Sequence, residues 1–231
     1  MRSIKLTFLF CLLIVLCVVL SGDPRASAEQ QERENVYFLW AFGAVVKGEH
    51  GPKVMAITCD TTLKTGDRLK MLIEPRKKCY LYLIYHSSRD ELHMLFPYHL
   101  QQFSTGYDAL KRYYIPQGDT WFELDEHTGS ETFYLLASAE HLPELETLLG
   151  QYISAPLSRK PELTDQVLAG IRQIKKQHRK LTTTAERPVP IGGSLRGITE
   201  DEKAARLSID TLAVEISAGN FFSRTYTIDH R

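Results

Sequence analysis

Between residues 53 and 138 the chain is a succession of short β-rich runs, spaced about ten residues apart and separated by turns rich in Gly, Pro and Asp. A parallel sheet would need a helical crossover of roughly a dozen residues or more between successive strands, and none fits in this region. The pattern therefore predicts a mainly β chain, built as an antiparallel β-sandwich or open barrel.

Individual runs refine that expectation. Residues 35–46 are apolar and aromatic, and residues 53–59 form a second short run. Over residues 68–74, Leu69, Met71 and Ile73 alternate with Arg68, Lys70 and Glu74, which predicts a strand with one face in the core and one in solvent. Residues 79–85 (Cys-Tyr-Leu-Tyr-Leu-Ile-Tyr) are apolar or aromatic throughout, so this strand is expected at the centre, covered on both faces. In residues 91–96, Leu92, Met94 and Phe96 point one way, and Pro97 ends the run. Residues 121–125 and 132–138 complete the strand region of 35–138.

After residue 138 the period lengthens. Residues 142–152 fit a short helix, and Leu163, Val167, Leu168, Ile171 and Ile174 fall on one side of a second that Pro161 can open, giving a helical insert over 142–180. Residues 181–198 read as loop, and Thr199-Glu200-Asp201-Glu202 has the spacing of a capping box. Alternation resumes in a closing β-hairpin over 208–230, expected to rejoin the sheet because an isolated two-stranded hairpin is marginal in water.

Arg2 and Lys5 precede residues 6–20, an apolar run interrupted only by Thr7, and Ala26-Ser27-Ala28 follows as a small-x-small site. This is the pattern of a cleaved secretory signal over residues 1–28; an uncleaved anchor is the alternative, although the run is short of the roughly 20 residues that span a bilayer. The expected address is periplasmic or extracellular, with residues 29–231 as one domain. The whole chain is neutral, 28 Lys+Arg against 28 Asp+Glu. Removing residues 1–28 takes away Arg2, Lys5, Arg25 and Asp23, which leaves 203 residues and a net charge of −2. A nucleic-acid partner is not expected from such a balance, and membrane contact is expected only peripherally or through an uncleaved anchor.

Cys59 and Cys79 remain after cleavage. In an oxidising compartment they are a candidate disulfide, whose closed loop of about 20 residues would restrict the unfolded chain by about 3 kcal/mol. Two small buried hydrophobes are the alternative.

The order Gly66-Asp67, Tyr80-Leu81-Tyr82, Leu95-Phe96-Pro97, Ile115-Pro116 and Gly129-Ser130-Glu131 resembles the bacterial domain of unknown function 4384, over residues 63–138. Members of that family look like exported or envelope-associated β-domains, often appended to peptidases, kinases or outer-membrane anchoring domains. The resemblance implies an accessory binding or structural role and no catalytic residues. Each motif position also has an architectural reading. Gly66 can take positive φ, Asp67 can bond nearby amides, Pro97 and Pro116 can end strands, and the Tyr80 and Tyr82 hydroxyls need partners.

Candidate chemistry is sparse. His86, His93 and His99 lie close in sequence but without zinc-ligand spacing, so no metal is assigned. Asp119, Glu123, Asp125, Glu126 and Glu131 crowd one region, where paired carboxylates could do acid–base work on a glycan. A polar outer strand face is their ordinary cause, and it is the reading preferred. Arg172, Lys175, Lys176, Arg179 and Lys180, with His178, make a basic helix end, read first as a solvated face that the helix dipole favours and second as a contact for an anionic envelope polymer or lipid head group. No Gly-x-Ser-x-Gly, Ser-x-x-Lys or P-loop is present, and no cofactor is implied. The leading expectation is an exported, non-enzymatic envelope module that binds a partner protein or envelope polymer. The rival is an envelope hydrolase with a carboxylate/histidine site, which a cleft gathering Asp or Glu with His from residues 86–131 would favour.

Overall fold

The strands read from periodicity assemble into two sheets packed face to face. The computed structural model describes residues 35–48, 51–102, 108, 110–178, 184–188 and 209–231. The signal segment, the capping-box residues 199–202, Arg179 and Lys180 lie outside the described residues.

Twelve strands run in chain order as β1 (Val36–Gly48), β2 (Gly51–Ala56), β3 (Thr61–Leu63), β4 (Arg68–Pro75), β5 (Tyr80–His86), β6 (Leu92–Phe96), β7 (Tyr113–Ile115), β8 (Phe122–Glu123), β9 (Gly129–Ser138), β10 (Thr184–Pro188), β11 (Val214–Ala218) and β12 (Phe221–His230). One sheet has seven strands ordered β10-β11-β1-β4-β7, with β2 also on β1 and β8 also on β4; the other has five, ordered β3-β12-β9-β5-β6. Among the described residues all pairings are antiparallel except β12 with β3, and no barrel closes. The closing hairpin rejoins the sandwich with one strand in each sheet, β11 beside β1 and β12 beside β9. One expected loop segment is strand instead: β10 extends the larger sheet beyond β11, and Glu186 on it takes the Arg224 guanidinium in a two-pronged pair.

Between the sheets lies the main core. Phe38, Trp40 and Phe42 of β1 meet Leu81 and Leu83 of β5, Phe133 and Leu135 of β9, and Tyr226 of β12. A second core forms on the other face of the smaller sheet, where Tyr82, Ile84 and Leu136 pack under helices α1 (Pro143–Ser154) and α2 (Lys160–His178). The all-apolar β5 is thus covered on both faces, as its composition requires. Pro143 opens α1 and Glu144 and Glu146 occupy its first turn, where the free amides and the helix dipole favour them. Tyr82 ties this helix to the sheet: its hydroxyl donates to Glu146 Oε1 at 2.6 Å and accepts the Leu142 N–H at 3.1 Å. Tyr80 lies against His141, with ring centroids 3.8 Å apart and the planes tilted by 36°.

Two strands depart from the alternation reading. The polar face of β4 is not in solvent. Lys70 and Glu74 are both buried, because the turn Ile209–Leu212 and the segment around β7 cover that face. Lys70 Nζ donates to Gly118 O at 2.6 Å and Thr120 O at 2.9 Å, and lies 5.6 Å from both the Tyr114 and Trp121 ring centres. Burial pulls its pKa below the ordinary lysine value, against the pull of Asp119 and Asp210. Glu74 takes Arg112 at 2.9 Å and Arg76 at 3.1 Å, and Arg112 continues to Asp210 at 2.8 Å. Paired and hydrogen-bonded charges tolerate such burial, and unpaired ones do not.

The second departure is in β6. A register shift at Leu83/Ile84 acts as a β-bulge. Leu92 and Met94 pack on the helix side, whereas Phe96 enters the inter-sheet core and Leu95 packs against it. Among the described residues no helix is long and apolar enough to cross a membrane.

Candidate functional site

The sandwich has one side where its last strands do not meet, with β6 ending the smaller sheet and β7 and β8 lying on the far side of β4 in the larger one. Aromatic contacts bridge part of this side. Phe96 and Tyr113 have ring centroids 5.2 Å apart, and the Tyr98 hydroxyl donates to Tyr114 O at 2.9 Å. Next to this bridge the sheets enclose a cavity of about 270 Å³. The larger sheet contributes Leu69, Phe122, Glu123 and the adjoining Leu124, and the smaller contributes Tyr85, His93, Leu95, Glu131 and Phe133. The β6 bulge is what turns Leu95 toward this space.

Its aromatic wall is a stack. Tyr85 lies 4.8 Å from Phe133 on one side and 5.6 Å from His93 on the other, each pair tilted by 23°. Phe122, at the rim, is 37% exposed. Glu131 forms the polar anchor. Its carboxylate is buried and accepts the Tyr85 hydroxyl at 2.6 Å, the Ser88 N–H at 3.1 Å and the Ser88 hydroxyl at 2.8 Å. Burial, then the hydrogen bond and charge of Glu131, push the Tyr85 phenol well above its ordinary range, so it stays protonated and donating.

Gly129-Ser130-Glu131 gains a physical reason here. Gly129 has φ +146°, and a Cβ on it would stand 2.6 Å from Ser88 Cβ. A bare backbone lets the β5–β6 turn close over β9, and Glu131 then clamps that turn. The other turn motif behaves likewise: Gly66 has φ +85°, and Asp67 Oδ2 accepts the Lys64 N–H at 2.9 Å.

The remaining candidates scatter. His86 pairs with Asp90 at 2.8 Å, His99 is exposed, and only His93 reaches the cavity. Among the described residues no three His, Cys, Asp or Glu side chains gather where they could hold a metal ion. Of the acidic cluster, Glu123 and Glu131 line the cavity. Asp125 is exposed and tied into its own turn, accepting the His127 N–H at 2.8 Å, a bond that lowers its pKa. On α2, Arg172 and Lys176 are exposed. Lys175 turns inward, its ammonium donating to Thr225 Oγ1 at 2.8 Å, and burial lowers its pKa.

The bridge that spacing allowed between Cys59 and Cys79 is not formed: both thiols are free, Cys59 exposed and Cys79 buried. Burial pushes the Cys79 thiol up from 9.0 to about 11, against a backbone hydrogen bond at Tyr37 that favours the thiolate. The folded state therefore holds this proton after the unfolded state has lost it, and stability falls as pH rises from 9 toward 11. The fall is expected to reach about 2 kcal/mol, and Cys79→Ala should remove it from pH-dependent urea unfolding curves. Iodoacetamide should modify Cys59 alone in the native protein and both cysteines in urea.

Sequence reasoning picked out Glu123, Glu131 and His93 but missed Tyr85, Phe122 and Ser88 as parts of one site. A serine in the turn between two strands was the only local signal for Ser88.

Comparison with known families gives one result. Residues 62–141 match the model of a family described as a domain of unknown function (DUF4384), about a third of the chain. No curated protein and no solved structure matches. All the residues that line the cavity fall inside the matched segment.

Proposed function

We propose that the chain is an exported cell-envelope module without catalytic activity, which binds a partner protein or envelope component through the cavity between β6 and β8. The observation that carries this reading is the state of the cavity's polar groups. Glu131 spends its carboxylate on the Tyr85 hydroxyl and both Ser88 donors, so it shapes the wall instead of standing ready as a base. What remains is an apolar and aromatic recess of side-chain scale, a little below the range of about 300–1,000 Å³ typical of sites for drug-sized ligands. One observation favours the rival, a hydrolase: His93, Glu123 and Glu131 share this cleft. Against it, Glu131 already accepts three hydrogen bonds, which leaves Glu123 as the cavity's one carboxylate open to substrate, whereas acid–base work on a glycan needs a pair.

A photo-crosslinking residue placed at Phe122, on the rim, is expected to give a discrete adduct with envelope extract. The same residue at Leu157, exposed on the helical side, should give none. No adduct from position 122, or the same adduct from both positions, would contradict the reading. Export is tested separately by the mass of the protein recovered from cells, expected to begin at Glu29.

A further inference from the structure

The cavity's lining is chemically one-sided. It holds two carboxylates, Glu123 and Glu131, and four aromatic rings, Tyr85, His93, Phe122 and Phe133, with no Lys or Arg among them. Glu131 is 96% buried by its exposure of 4%, yet all three of its hydrogen-bond donors are neutral. A buried carboxylate is ordinarily matched by a cation, and a fourth acceptor position on its two oxygens is left after those three bonds. Aromatic faces add attraction for a cation and none for an anion.

We infer that this cavity takes an alkylammonium group, a primary amine carried on a short apolar stem. The inference rests on the binding reading above and names the chemistry that the site selects. The ammonium sits toward Glu123 and Glu131, and the stem lies against Leu69, Leu95 and Leu124. An anionic group is disfavoured by both carboxylates, and a neutral alkyl group leaves the Glu123 carboxylate and the remaining acceptor position of Glu131 unused. The same chemistry is offered by a lysine side chain of a partner protein and by a free amine.

The test follows the methyl resonances of Leu69, Leu95 and Leu124 in the purified protein as n-butylammonium or its neutral counterpart of equal chain length, n-butanol, is added. Butylammonium should bind about fivefold more tightly than butanol, the size of a single cation–π or exposed ion-pair contribution. Glu123→Gln should bring the amine down to the butanol level and leave butanol unchanged. Equal binding of the two probes would overturn the inference while leaving the cavity a binding site, and no shift from either would overturn both. Nα-acetyl-lysine methylamide binding more tightly than butylammonium identifies a protein lysine as the source, and the reverse order identifies a free amine. Either order sustains the alkylammonium assignment.

Discussion

Glu131→Ala is expected to cost about 3 kcal/mol of stability. The substitution strands three donors at once: the Tyr85 hydroxyl, the Ser88 hydroxyl and the Ser88 N–H. Each loses a charge-assisted bond; the half-buried Tyr85 hydroxyl is the donor least able to turn to water instead, whereas Ser88 is exposed. The β5–β6 turn should also loosen, because Ser88 is held against Gly129 by this clamp. Urea unfolding gives the free energy, and hydrogen exchange at the Ser88 amide gives the local effect. Glu131→Gln keeps one strong acceptor and should cost about 1 kcal/mol. A loss below about 1 kcal/mol for the alanine variant, with Ser88 still protected, would show that the clamp is not structural.

A comparable loss is expected from Phe133→Ala, about 3 to 5 kcal/mol. Phe133 is buried in the inter-sheet core, 4.9 Å from Phe42 and 4.8 Å from Tyr85 by ring centroids. Its removal takes apolar area from the core and leaves Tyr85 stacked on one side only. The vacated space joins the existing cavity, so the variant should also accept longer apolar stems than the natural protein. Phe133→Leu keeps most of the volume and should cost about 1.5 kcal/mol or less. The measurements are urea unfolding for both variants and the binding of butanol against hexanol. A stable alanine variant with unchanged preference would place Phe133 outside both the core and the site.

The parts of the fold that were legible are those where one residue type has one physical use. β5 is apolar at almost every position, and only a central strand covered on both faces accommodates that. Gly66 and Asp67 marked a turn, and the positive φ and the Asp67 bond to the Lys64 amide account for both. β4 was harder, since Lys70 and Glu74 look like a solvent face until their partners are known. Of those partners only Arg76 adjoins the strand; Gly118, Thr120 and Arg112 lie on other segments. The bulge in β6 depends on its pairing with β5, and period-2 counting has no means to express it. β10 sits in a stretch whose Thr and Pro content reads as loop, and only β11 beside it makes it a strand.

The site was less legible than the fold. Leu69 and Phe133 are 64 positions apart in sequence and reach the same cavity only because the two sheets face each other. Glu123 and Glu131 attracted notice as possible acid–base partners, but carboxylates close in sequence carry no information on who bonds them. Glu131 turned out to have three of its acceptor positions engaged, and Glu123 to stand at the rim.

The most direct measurement is the crosslink yield from position 122 in envelope extract, with and without excess n-butylammonium. If the cavity between β6 and β8 is where this protein meets its partner, the amine should suppress the adduct, and equimolar n-butanol should suppress it far less. An adduct that forms with undiminished yield in the presence of the amine would contradict the account.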